Sequence, residues 1–337
     1  MVLMEQIIGF LRRNFVIPNP MNWGYPVLFA GIGSIISFLV SKAAFNFLPF
    51  SSTSIVGCTL ITILFVLAAF IMPAVFLSGM TSDDIAGRYT GIGVLLMSFL
   101  SGAPVYLIDT ACRNIITYLW MRSGNSVVFP LTFYYNAESG LSVLGLEFLT
   151  DTLIPAIGMS LFFYGLLWSC FKPSQRKAAA LIIPLLYAAF SFDFLGLVGV
   201  IVTGWWLLTL RRNIDNIWGP ILCLIGSRAT GIIIGSIISP VDITSLRTYQ
   251  DISISCFYAA APAIVVAVIL FAFFLKTLGE FNYTYNNSIY GDNLDADYLS
   301  SREHFAPSAL KGFNVAALIG VIICAVIWIM LYKGVRP

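Results

Sequence analysis

Among the charged side chains within stretches otherwise apolar enough to cross a membrane are Asp109, Arg113, Asp193 and Arg228. Charge in hydrocarbon is costly, so such residues either pair or mark a polar site. Asp109 and Arg113 are four positions apart and share a helix face, which suits mutual neutralisation. Arg228 is thirteen residues into its segment, roughly 20 Å along a helix axis. That depth is beyond the reach of a snorkelling side chain, so it needs a carboxylate or a set of backbone carbonyls. Asp193 lies fifteen residues into the preceding segment, roughly 22 Å along it. The matched depths make Asp193–Arg228 the expected ion pair. Asp151 is the second-choice partner, and bonding of Arg228 to carbonyls at a helix break is the alternative. Glu147 and Asp151 sit near the end of their segment, within reach of an interface.

Metal and thiol chemistry find little support. The six cysteines, at 58, 112, 170, 223, 256 and 324, have no CxxC spacing and mostly apolar neighbours, so they read as small buried hydrophobes. The single histidine, His304, lies in the most polar stretch and cannot build a metal site alone. No metal and no other cofactor is expected.

Composition dictates the setting. Of 337 residues 59% are hydrophobic and 10% charged, with mean hydropathy +0.91. Soluble domains carry about 25% charged residues. The surplus apolar surface must face lipid, which excludes a soluble enzyme, a secreted disulfide scaffold and a disordered regulator. The net charge is +2 and no basic block occurs, so nucleic acid is not an expected partner. The lipid bilayer is.

The elements that must position the charges are long helices. The expected class is all-α, a polytopic transmembrane bundle of eight to nine spans. The apolar runs predict helices over 24–48, 56–79, 89–121, 142–171, 178–193, 194–210, 215–238, 252–275 and 313–332. Pro104 and Pro155 should kink the third and fourth. The fifth and sixth should meet in a tight turn at Phe192-Asp193-Phe194. An N-terminal segment, 1–23, precedes a helical domain over 24–276. A polar loop over 277–312 then leads to a last span and tail over 313–337. That loop is too irregular for a calcium site. With the N-terminus inside, the inner segments hold eleven Lys and Arg and the outer ones four. This bias predicts a multi-pass protein of the cell membrane, N-terminus cytoplasmic and C-terminus outside. The sequons at Asn282 and Asn286 are then cytoplasmic and silent. Gly231 and Gly235 have the spacing of close helix packing.

Across 142–238 the chain resembles the CPBP intramembrane metalloproteases, relatives of the CAAX prenyl endopeptidase that include bacteriocin self-immunity proteins. Three motifs on consecutive helices carry the resemblance. Met159-Ser160-Leu161-Phe162-Phe163-Tyr164-Gly165 matches the first, keeping its Phe and Gly. Tyr187-Ala188-Ala189-Phe190-Ser191 matches the second. Trp218-Gly219-Pro220-Ile221-Leu222 leads into the third, with Leu224 and Arg228 at its last two positions. The chemistry is substituted throughout. Met159 and Ser160 replace two glutamates, Tyr164 an arginine, Ser191 and Leu224 two histidines, and Arg228 an asparagine. The family mechanism, as the resemblance implies it, needs a carboxylate base and histidine ligands for a water-activating metal. Neither Met nor Leu binds such an ion. No catalytic residue carries over.

The expectation is a non-catalytic relative, a pseudoprotease. It would bind a membrane peptide, a lipidated peptide, a lipid or a membrane protein in a remnant cavity, in an immunity or scaffold role. That cavity would be formed by Met159, Ser160, Tyr164, Ser191, Asp193, Leu224 and Arg228. The alternatives are an active endopeptidase with atypical residues, a small-solute transporter, and a membrane subunit of a larger complex. Serine chemistry at Ser160 or Ser191 would lack a base, since no His or Lys lies deep in those helices.

Overall fold

The computed structural model describes residues 21–47, 51–81, 85–87, 90–131, 141–171, 175–244, 246–290 and 315–337. Among them the chain is helical and without strands. Ten helices are labelled here. They are α1 (Gly24–Phe45), α2 (Ile55–Met80), α3 (Ile92–Leu100), α4 (Gly102–Arg122), α5 (141–167), α6 (Arg176–Ala189), α7 (Leu197–Ile214), α8 (Trp218–Ile234), α9 (Ile254–Tyr290) and α10 (Val315–Tyr332). An all-helical bundle with multiple membrane-spanning helices is what the composition demanded.

Among the described residues six stretches are long and apolar enough to cross a membrane: α1, α2, α3 with α4, Gly145–Leu167 of α5, Ile254–Glu280 of α9, and α10. This corrects the expected eight to nine. The missing spans are the fifth, sixth and seventh. Helix α6 has 14 residues, roughly 21 Å of rise, and α8 has 17. Helix α7 has 18, but its last turn carries Arg211 and Arg212. The expected polar loop is also shorter at its start, because α9 runs on past residue 276 to Tyr290. Elongating an existing helix avoids the unfavourable nucleation step, so a polar stretch continues it readily. Arg12, Arg13, Lys172, Arg302, His304 and the acidic group Asp292, Asp295 and Asp297 lie outside the described residues.

The chain divides into two compact units. The first comprises Met1–Gly87, Thr132–Ala179 and Pro307–Pro337, and the second Arg88–Leu131 and Ala180–Ala306. In the first unit α1 runs antiparallel to α2. Ser37 donates to the Leu64 carbonyl at 3.3 Å, while a Cβ on Gly33 would sit 2.8 Å from the Ala69 Cα. Glycine is required there because the two backbones touch. Helices α2 and α5 run parallel. Thr59 and Thr150 share a hydroxyl hydrogen bond of 2.7 Å, Val66 meets Gly158, and Phe70 packs on Phe162 with ring centroids 5.4 Å apart.

Helices α2 and α5 are interrupted in the same way. A π turn at Leu67–Ile71 precedes Pro73, and another at Leu149–Leu153 precedes Pro155. Aligned on the prolines, the two segments share four residues: Leu67/Leu149, Pro73/Pro155, Ala74/Ala156 and Ser78/Ser160. Proline lacks the N–H and its ring crowds the preceding turn, so widening that turn relieves the clash. A second π segment, Ser160–Leu167, covers most of the first family-like motif.

The second unit is built around α4. Pro104 breaks the long span early, and α3 and α4 are separate helices joined at Ser101. Helix α8 runs parallel to α4: a Cβ on Gly102 would strike the Gly226–Ser227 backbone, while further along Gly231 meets the Tyr106 ring. Helix α7 runs antiparallel: Ser101 accepts a bond from Trp206 Nε1 at 3.3 Å, and a Cβ on Gly199 would sit 2.8 Å from the Asp109 Cα. Gly231 thus makes room for an aromatic ring rather than a helix backbone. Gly226→Val is expected to lower stability by about 1–3 kcal/mol, because its side chain has no room against the Phe99 carbonyl. Gly93→Ala, with open space around the added carbon, should be neutral or slightly stabilising. Thermal unfolding in mild detergent compares the two.

Candidate functional site

Three charged residues of the second unit, Asp109, Arg113 and Asp193, meet at the α4–α7 contact. Asp193 forms an ion pair with Arg113. Both are largely removed from solvent, the arginine side chain 20% and the aspartate 13% exposed. The expected Asp193–Arg228 pair is therefore not formed. Matched depth was the wrong criterion, because it ignores which way around the bundle each side chain faces. Arg228 lies half-buried on α8, near the Tyr106 ring. The i, i+4 reading of Asp109 and Arg113 is also modified. Asp109 stays within electrostatic reach of Arg113, but the guanidinium closes on Asp193.

Local sequence explains why Asp193 can reach. The segment between α6 and α7 turns through Phe192 at φ +51°, a left-handed conformation that a bulky side chain adopts only when its surroundings enforce it. Phe192 is fully buried, and its carbonyl accepts the Leu131 N–H at 3.3 Å. Ser191 is tied back by a bond to the Ala188 carbonyl at 2.7 Å. Asp193 then projects forward. Its Oδ1 accepts the Gly196 N–H at 3.1 Å and so closes the turn that leads into α7, while its Oδ2 faces Arg113. A Cβ on Gly196 would lie 2.5 Å from Asp193 Oδ2 and 2.7 Å from Arg113 Nη2. The pair fits only because residue 196 has no side chain.

Asp109 is the less settled member. Its Oδ1 is buried and has no hydrogen-bond partner, and Gly199 presses against it. The Tyr187 hydroxyl lies within electrostatic reach of Asp109 and of the Cys223 thiol. Cys223 in turn accepts from Ser101 at 3.5 Å. A polar seam thus runs through the unit from Arg113 to Trp206. Across α4, Asn114 holds the segment after α8 by both ends of its amide. Its Nδ2 donates to the Ser239 carbonyl at 3.0 Å, and its Oδ1 accepts the Val241 N–H at 2.9 Å. The Tyr106 hydroxyl donates to the Ile238 carbonyl at 2.8 Å.

The family-like positions divide between the units. Met159, Ser160 and Tyr164 belong to the first and are buried, Ser160 and Tyr164 completely. Ser191, Asp193, Leu224 and Arg228 belong to the second. Of these seven, Asp193 is the one whose charge is engaged at the α4–α7 contact. Among the described residues no group of three or more His, Cys, Asp or Glu is arranged to hold a metal ion. Sequence reasoning missed Arg113 as the partner of Asp193, and the roles of Asn114, Gly196 and Gly199. The Gly196-x-x-Gly199 spacing, one helical turn directly after an intramembrane aspartate, was the available signal.

Comparison with known proteins returns nothing: no family model, no curated protein and no solved structure matches the chain.

Two predictions follow from these contacts. Removing Arg113 leaves a buried carboxylate uncompensated, so Arg113→Met should cost about 3–5 kcal/mol. In double-mutant cycles Arg113 and Asp193 should couple strongly, and Arg228 and Asp193 should not; equilibrium unfolding in detergent measures both. Asp251, in the solvent-facing segment before α9, accepts main-chain N–H bonds from Thr248 at 2.7 Å and Arg247 at 2.9 Å. These bonds hold its carboxyl below the usual range. A depressed native value means that the turn is fully supported above the ordinary aspartate value of about 3.9 and is lost as pH falls through the native one. Hydrogen exchange at the Thr248 amide should stay slow at pH 4 and accelerate only in stronger acid.

Proposed function

We propose that this chain is a non-catalytic integral membrane protein that binds a membrane peptide, a lipid or a membrane-protein partner, in an immunity or scaffold role. The carrying observation is the state of the hydroxyls at the family-like positions. Ser160 and Tyr164 are sealed from solvent, and Ser191 spends its proton on the Ala188 carbonyl. Among the described residues neither serine hydroxyl bonds to a base, which nucleophilic chemistry requires. The resemblance to CPBP proteins, whose hydrolytic residues this chain replaces with Met159, Ser160, Tyr164, Ser191, Leu224 and Arg228, points the same way. The Lys and Arg distribution supports a cytoplasmic N-terminus; the external C-terminus expected from nine spans does not follow from six, an even number.

Transport of a small solute is a second reading. It draws on the buried, unbonded Oδ1 of Asp109 and on the paired π–Pro interruptions of α2 and α5, since transporters place sites at broken helices.

Photo-crosslinkers at positions 191 and 224, compared with the exposed control position 322 on α10, test the binding reading in native membranes. A discrete adduct from 191 or 224 and none from 322 is expected. Identical labelling at all three positions would remove the reading. Hydrolysis of transmembrane peptides, abolished by Ser191→Ala, would replace it with the peptidase. Solute flux in proteoliposomes, abolished by Asp109→Asn, would replace it with the transporter.

A further inference from the structure

The second unit has a cavity of about 310 Å³ at the end of α4, away from the charged core. Gly124, Asn125, Arg247, Thr248, Tyr249 and Gln250 line it. Its walls are fixed in advance. On one side Trp120 Nε1 donates to the Ser126 carbonyl at 2.8 Å, and Asn125 Nδ2 donates to the Trp120 carbonyl at 3.3 Å. On the other side a single oxygen of Asp251 gathers the Arg247 N–H, the Thr248 N–H and the Thr248 hydroxyl. The edge of Tyr249 meets Tyr118 of α4, with centroids 6.5 Å apart, and joins the two sides. An open cavity with mixed polar and apolar walls held in place in this way loses little entropy on binding.

Its chemistry is that of an anion site. The Arg247 guanidinium forms no ion pair or hydrogen bond among the described residues. Asp251 lies within electrostatic reach of it, and the Asp251 Oδ2 accepts the three bonds just named. Asn125 keeps one amide hydrogen, and Gln250 and Tyr249 supply further donors. Position narrows the ligand. The cavity lies between the last residue of α4, Arg122, and the first of α9, Ile254, where two apolar spans end together. Tyr118, Trp120, Tyr249, Phe257 and Tyr258 cluster at that level, as aromatic residues do at a membrane interface. From the same end of α9 runs an exposed apolar stripe, Ile254, Tyr258, Val265 and Ile269, at helical spacing.

We propose that this cavity binds the phosphate of an anionic phospholipid headgroup, with Arg247 as the charged contact and the acyl chains lying along the exposed stripe of α9. Basic pockets at helix ends recognise lipid headgroups by this combination. The inference is independent of what the chain binds elsewhere.

The test uses the full chain in mild detergent. Short-chain phosphatidylglycerol, phosphatidylcholine and inorganic phosphate are titrated separately, and binding is read by native mass spectrometry and by the shift in melting temperature. Phosphatidylglycerol is expected to bind saturably and to raise the melting temperature, with phosphatidylcholine weaker. Arg247→Gln should weaken phosphatidylglycerol about tenfold, as expected for loss of one charged contact, with the lipid-free melting temperature unchanged. Tyr249→Ala should also weaken binding. Arg122→Gln removes an equal charge from a residue that does not line the cavity and should bind as wild type does. Equal affinity in wild type and Arg247→Gln overturns the proposal, as does an equal loss in Arg122→Gln. If inorganic phosphate protects as well as the lipid does, and needs Arg247, the anion chemistry stands and the lipid assignment falls.

Discussion

A guanidinium held between two carboxylates, in surroundings that are otherwise apolar, constrains everything around it. Arg113 projects from α4 and cannot be left without a counter-charge there. Asp193 supplies one from the turn before α7, and the same carboxylate closes that turn by accepting the Gly196 N–H. Anchoring and turn formation therefore share one side chain. Gly196 and Gly199 let α7 approach α4 closely enough for this, and Phe192 holds a left-handed turn so that Asp193 can reach. A buried pair of this kind adds little net stability compared with an apolar packing of equal volume. What it does is forbid alternatives: an α7 rotated or shifted by one turn would strand a charge in hydrocarbon.

Part of this was legible in the sequence. A charged fraction of 10% left no other home than a membrane for so apolar a chain, and the six long spans follow from apolar length alone. The three shorter helices were overcounted because α6, α7 and α8 are apolar enough to resemble spans but are interrupted within less than the thickness of a bilayer. Asp193 and Arg113 were both singled out, yet each was given to another partner. Spacing along a helix favoured Asp109 for Arg113, and depth favoured Arg228 for Asp193. Neither measure contains the angle about the helix axis, and only packing fixes that angle. The clamp made by Asn114 had no sequence signal, since a lone asparagine in a span is as readily a packed polar residue.

The family-like positions illustrate a related difficulty. Ser160 and Tyr164 were read on a regular helix, but they fall in a π segment, where the side-chain progression differs from 3.6 residues per turn. Facing directions inferred there from an α-helical pattern do not hold. Burial of both residues nonetheless agrees with a position inside the protein rather than on its lipid surface.

The proline-linked turn in α2 has a further consequence, best put as winding. Between Ile61 and Leu77 the buried residues of that helix come in pairs at a four-residue interval: Ile61 and Thr62, Phe65 and Val66, Ala69 and Phe70, Pro73 and Ala74, then Leu77. A regular α-helix turns about 100° per residue, so each four-residue step overshoots by about 40°, and four steps by about 160°. Such a helix would carry Pro73 and Ala74 round towards lipid. The π turn underwinds the chain between the two halves and cancels much of that drift. The local irregularity thus keeps one long face of the helix pointing inward, and the residue it absorbs works as a phase correction between two otherwise ordinary lengths of helix.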